Sequence, residues 1–143
     1  MTTATALKSM IDKLTWNTKV RFIGCRNELP DKCLDNEWGI VLLAENNSNI
    51  TISHWVSYFV RNETFLRDGV EVKDSKPYYF CSYGSLIPSD LKKYLSFDNK
   101  NKILGHTFRI QDFNSSICGE LCIVFCFLLD KGLRYEDIIL NLI

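Results

Sequence analysis

The sequence predicts an α+β domain in which a mixed β-sheet packs against a central helix, with shorter helices around it. Three observations carry that expectation. The longest apolar run, Leu121 to Leu129, spans nine residues, which suits a helix buried on all sides and is about half of what a bilayer-spanning helix needs. Two segments, WGIVLLA and ISHWVSYFV, have the length and β-branched or aromatic content of strands. The order of elements runs helix, several strands, helix, strand, helix, helix, without a repeat, linker or low-complexity tract. A chain of 143 residues that is 46% hydrophobic and 13% aromatic can bury one sizeable core, so residues 1–143 are expected to form a single domain.

In chain order, Leu7, Met10, Ile11 and Leu14 lie at helical spacing and predict an amphipathic helix over residues 5–14, stopping near Asn17. Lys19 to Cys25 reads as a strand around Val20 and Phe22, and the polar, Pro30-containing segment Arg26 to Trp38 as a loop. Trp38 to Ala44 is continuously apolar, as expected of a central strand covered on both faces. A polar turn over Glu45 to Asn49 leads to a strand from Ile52 to Val60. Alternation puts His54, Val56, Tyr58 and Val60 on one of its faces and Trp55, Ser57 and Phe59 on the other. Charged residues 61–76 contain Asp68-Gly69 and predict a hairpin turn or excursion, followed by a short strand from Pro77 to Cys81. Pro88 introduces a short helix with Leu91 and Leu95 inward, and Lys102 to Gln111 reads as a further strand. Gly132 stops the buried helix, and Tyr135 to Leu142 forms a last short one.

Seventeen basic residues balance 17 acidic ones, so no global field favours nucleic acid or an anionic membrane as the main partner. The opening MTTATALKSMIDKL lacks the apolar core and cleavage site of a signal peptide, which predicts an intracellular protein. Six cysteines in that setting are expected to be free thiols. No C-x-x-C pair exists, so no metal site is expected, and no cofactor either. Cys122 and Cys126 are expected as small core residues.

The stretch Ile110 to Asp130 carries the chemistry. Asn114, Ser115 and Ser116 offer acceptors for the free N–H groups that open a helix, which places Cys118 at the helix N-terminus, where the helix dipole favours thiolate. Nucleophilic cysteine catalysis needs an imidazole and donors for an oxyanion as well. His54 on its strand is the candidate imidazole. Gln111, seven residues before Cys118, can join the Cys118 N–H in an oxyanion hole. Gly119 is expected to leave the backbone beside the sulphur open to a substrate carbonyl. Taken singly, each residue reads more simply as core or strand-end filler; their joint arrangement gives them meaning.

That arrangement resembles a known family. His54-Trp55, then YFxSYG over Tyr79 to Gly84 followed by a proline and LKKYL, then IQxxxSxxCGxxC over Ile110 to Cys122 are similar to the adenain-type cysteine proteases of the adenovirus protease group. The resemblance is closest to the shorter relatives encoded by virophages and Polinton-type virus-like transposons. It extends to CRNELP (Cys25 to Pro30) and covers roughly residues 18–143.

The resemblance implies an adenain-like fold and a peptidase whose nucleophile is Cys118, whose histidine is His54 and whose oxyanion glutamine is Gln111. Its third catalytic member is an Asp or Glu at the position held here by Cys81, and a thiol cannot supply a fixed negative charge behind an imidazolium. Three explanations stay open: a working Cys118-His54 dyad, a carboxylate supplied by Asp112, Asp68, Glu71 or Asp74, or a degenerate relative kept as a structural or binding module. The implied substrates are viral or virus-like capsid precursors, cut near small residues in the host cytoplasm or nucleus or inside a virion. An activating peptide and DNA are known for the adenovirus members. Ubiquitin-like-protein proteases share the triad order and give a further alternative.

Overall fold

Four strands join in the order β1-β2-β3-β4: β1 Val20–Cys25, β2 Glu37–Leu42, β3 Trp55–Arg67 and β4 Val70–Phe80. β1 pairs with β2 in parallel, and the other two pairings are antiparallel, so the sheet is mixed. The computed structural model describes residues 2–43, 54–96, 102–110 and 117–142. Among the described residues four α-helices flank the sheet: α1 Ala4–Asp12, α2 Ser89–Ser96, α3 Cys118–Asp130 and α4 Tyr135–Leu142. No helix among the described residues is long and apolar enough to cross a membrane.

Alternation along β2, β3 and β4 divides the apolar residues into two layers. Trp38, Ile40, Trp55, Phe59 and Phe80 face α3, where they meet Leu7 of α1, Phe125 and Leu129 of α3 and Ile138 of α4. Val41, Val56, Tyr58, Val60, Tyr79 and Cys81 face the other way and are covered by Leu91 and Leu95 of α2. Burying one such Leu or Phe side chain contributes roughly 1.5–3 kcal/mol, so the two layers supply most of the drive to fold. β2, interior and buried on both faces, matches its apolar run.

Several expectations need correction. Of the two readings of segment 61–76, the hairpin turn holds, at Asp68-Gly69, both with positive φ; the strands on either side were not expected, and β3 and β4 continue through the segment as a two-stranded ribbon. Pro77 to Cys81 is therefore the end of a long strand. Beyond β2 the half-covered face of the ribbon carries Arg61 and Glu63 as well as Phe65, so it shows no clean apolar alternation for a sequence to display. The expected strand over 102–111 is, as far as Ile110, an irregular segment with a single parallel bridge between Leu104 and Tyr78. The expected strand from Ile52 begins at Trp55 among the described residues, and His54 lies just before it.

One buried polar cluster was not anticipated. Glu37, at the start of β2 and 1% exposed, accepts hydrogen bonds from the Tyr58 hydroxyl at 2.5 Å, the Tyr94 hydroxyl at 2.7 Å and the Leu34 N–H at 2.6 Å. A carboxylate so surrounded has its desolvation offset by hydrogen bonds, and it ties β2, β3, α2 and the 29–36 loop together.

Candidate active site

The position of α3 is set by small residues at four-residue spacing. Cys118, Cys122 and Cys126 line up on one stripe of the helix and let it lie close along β3. The Cys122 thiol donates to the Trp55 carbonyl at 3.5 Å and the Cys126 thiol to the Tyr58 carbonyl at 3.8 Å. At the far end of α3, the Arg61 guanidinium donates to the Leu129 and Leu133 carbonyls, at 3.1 and 2.6 Å. The Asp130 carboxylate accepts the Asn17 and Thr18 N–H groups at 2.7 and 2.9 Å. Cys122 and Cys126 are thus core residues, as expected, and they also fix the register that brings Cys118 to the His54-Trp55 step. All six cysteines are free.

Cys118 is the first residue of α3 and 3% exposed. Its thiol is pushed up by burial, against which the N–H groups of Trp55, Gly119 and Cys118 itself pull down; the nearby Glu120 carboxylate adds to the upward push. The dipole expectation therefore fails in direction: desolvation outweighs the helix N-terminus, and the resting group is a thiol. The N-cap is Ile117, which has no capping side chain, while the expected caps Asn114, Ser115 and Ser116 lie outside the described residues.

His54 is 5% exposed, and burial lowers its pKa to about 4, so the imidazole is neutral at pH 7. Its ring stacks on Tyr83 with centroids 4.0 Å apart and planes 13° apart. His54 and the Cys81-to-Gly84 turn both lie just beyond Ser57 and Phe80, the last β3–β4 pair, at the same end of the sheet. The Tyr83 hydroxyl is raised by desolvation first and then by the charges of Cys118 and Cys81, so this ring lies within the field of both thiols. The His54 Nε2 is buried and finds no hydrogen-bond partner among the described residues.

The Cys81-to-Gly84 turn is clamped from outside. Gly84 has φ +73°, and a Cβ there would lie 2.6 Å from the Phe108 carbonyl group, so only glycine lets the 105–110 segment approach. The Ile110 N–H donates to the Ser82 carbonyl at 2.7 Å. That bond anchors the residue immediately before Gln111 beside the motif; Gln111 itself lies outside the described residues.

Gly119 has a packing role that was not anticipated. A Cβ on it would sit 2.7 Å from Leu7 Cδ2 and 3.3 Å from Trp55 Cδ1, so the missing side chain lets α1 seat closely on the Cys118 turn. Thr2 adds to the seat, accepting the Trp55 indole N–H at 2.8 Å through its carbonyl and donating its hydroxyl to Glu120. Of the alternative carboxylates, Asp68, Glu71 and Asp74 lie in the ribbon. At about 3.3 Å per residue, even Asp74 is over 20 Å along β4 from Cys81, and Asp112 is outside the described residues. Among the described residues no three His, Cys, Asp or Glu side chains gather as a metal site.

Sequence reasoning grouped Cys118, His54 and Cys81 and missed the part played by Tyr83, which stands in the motif YFxSYG but was given no role. No protein-family model matches the chain, and no curated protein matches it.

Proposed function

We propose that this chain is a cysteine endopeptidase of the adenain type, acting on viral or virus-like structural precursors. One observation carries the reading: the Cys118 thiol, the His54-Trp55 step and the Cys81-to-Gly84 turn, far apart in sequence, converge at one end of the sheet. In the reaction, the neutral His54 takes the Cys118 proton as sulphur bonds to the peptide carbonyl carbon. Gln111 and the Cys118 N–H hold the resulting oxyanion, and His54 then returns the proton to the amine as the C–N bond breaks, leaving a thioester for water to hydrolyse. An imidazole held near 4 is a reluctant base and a willing acid, so thiol deprotonation is the slow half of this cycle.

The test is incubation with a library of glycine-rich peptides and a mass-spectrometric search for new termini. Cuts that vanish in Cys118→Ala and in His54→Ala support the reading; an inert wild type removes it. A second reading, a non-catalytic protease-fold module that binds a capsid or host partner, is favoured by the burial of Cys118 and by resting pKa values that both oppose a thiolate-imidazolium pair. It predicts capture of a structural protein unaffected by Cys118→Ala and no cleavage.

A further inference from the structure

The chain has two histidines, and the second, His106, takes no part in the chemistry above. It sits in the middle of a segment tied at both ends to β4 and the turn that follows it. At one end the Leu104 N–H donates to the Pro77 carbonyl at 3.0 Å and the Leu104 carbonyl accepts the Tyr79 N–H at 2.8 Å; at the other, the Ile110 N–H donates to the Ser82 carbonyl at 2.7 Å. Between these ties the segment advances six residues, Leu104 to Ile110, while its partner advances five, Pro77 to Ser82. One residue is extra, and a regular ladder leaves such a residue unpaired.

His106 takes up that slack. Its Nδ1 lies 2.9 Å from the Phe108 carbonyl, and since a carbonyl only accepts, Nδ1 carries the proton. The ring, 8% exposed, packs on Phe80 with centroids 5.4 Å apart and on Phe108 at 5.0 Å. The carbonyl it holds is the one that presses on Gly84, 2.6 Å from where a Cβ would stand. Gly84 follows Tyr83, whose ring backs His54 at 4.0 Å. Contacts therefore run without a break from His106 through Phe108 and the Gly84 turn to the His54 ring.

The arrangement suits a neutral ring. The His106 Nε2 is buried with no partner among the described residues, so a second proton there would be a desolvated N–H without an acceptor. Burial accordingly keeps the ring below its ordinary pKa, against a smaller opposing pull from the Phe108 carbonyl. Lys92 and Lys102 share one cavity with His106, and Tyr135 and Glu136 share another; none of them bonds Nε2.

We propose that His106 is a positioning residue: as a neutral imidazole it holds the 104–110 segment closed on the Gly84 turn, keeping Tyr83 stacked on His54, and acid opens this clasp. Only its catalytic consequence rests on the reading of Cys118 as a nucleophile. The sign follows from linkage. An open segment leaves His106 near its ordinary 6.5, so closure is at full strength above about that pH and is lost as pH falls below it.

The test is amide hydrogen exchange of the full chain, followed by NMR between about pH 5 and 8, where histidine titrates. Protection of the Ile110 amide is compared with that of Phe59, in the middle of β3, which reports global unfolding. Across that window acid should lower Ile110 protection several-fold relative to Phe59. His106→Phe keeps an apolar ring and loses the donor; it should lower Ile110 protection about two- to tenfold at every pH and move the His54 ring resonances that the Tyr83 face shields. His106→Asn, whose amide nitrogen can stand in for Nδ1, should restore part of that protection without the pH dependence. Neither measurement uses cleavage, so an inert Cys118 would remove the peptidase reading and leave this one to be judged by itself. Ile110 protection that keeps step with Phe59 at every pH, or that rises in acid as if Glu136 had taken the new N–H, overturns the proposal. So does a pH dependence that survives in His106→Asn, or a His54 ring unmoved in His106→Phe.

Discussion

Two buried polar sites share the α2-facing side of the sheet, and they are built in opposite ways. At Glu37 the fold buries a carboxylate and surrounds it with donors from Tyr58, Tyr94 and Leu34. At the other site it buries an imidazole, backs it with a stacked tyrosine and puts the Cys81 thiol where the resembled family has a carboxylate. The first site is closed chemically and serves architecture. The second is left incomplete among the described residues, with a nitrogen that finds no partner there and a pKa far from its ordinary value, which is the condition in which a side chain remains available to react.

The contrast fixes the order of expected effects. Glu37→Leu strands two hydroxyls and an N–H in a dry interior, so unfolding by denaturant should reveal a loss of about 3 kcal/mol or more; a loss below about 1 kcal/mol would mean the cluster is not desolvated. Gly119→Ala drives a methyl group into Leu7 and should cost about 1–3 kcal/mol by the same measurement, with Leu7→Ala in the same chain relieving part of it.

Smaller effects come from the incomplete site. Cys81→Asp gives His54 the opposite charge it lacks and should move its pKa upward from about 4 by roughly one to three pH units, followed by ring NMR. Peptide cleavage should rise with it, and an unmoved His54 would show that position 81 does not address the ring.

The pH dependence of stability acts only below neutrality, and its sign is definite. Because His54 titrates near 4 when folded and near 6.5 when unfolded, the unfolded chain takes up its proton first. The stabilising contribution of the neutral ring is complete above about 6.5 and is lost as pH falls from there toward 4. His54→Gln should flatten that slope in denaturation curves across the window.

The same contrast explains what could be read from the sequence. Apolar runs gave away β2, α3 and the two layers, because burial on one or both faces imposes a period on the residues. The turn of the β3–β4 ribbon was legible from Asp68-Gly69, but the length of its strands was hidden, since beyond the sheet the half-covered face carries charged residues and reads like a loop. Glu37 was hidden too: a buried carboxylate is signalled only by partners at Tyr58 and Tyr94, distant in sequence. At the site, the positions of Cys118, His54 and Cys81 were legible from motif order, whereas their protonation was not. Helix dipole and burial oppose each other at Cys118, and which wins depends on Trp55, Leu7 and the rest of the packed core.

The claim that Cys118 and His54 act as one pair is tested most directly by the rate at which an alkylating reagent modifies each cysteine at neutral pH, resolved by mass spectrometry. Modification of Cys118 well ahead of the buried Cys122, slowed on the order of tenfold or more by His54→Ala, is the predicted result. Modification of Cys118 no faster than Cys122, or indifferent to His54, would contradict it.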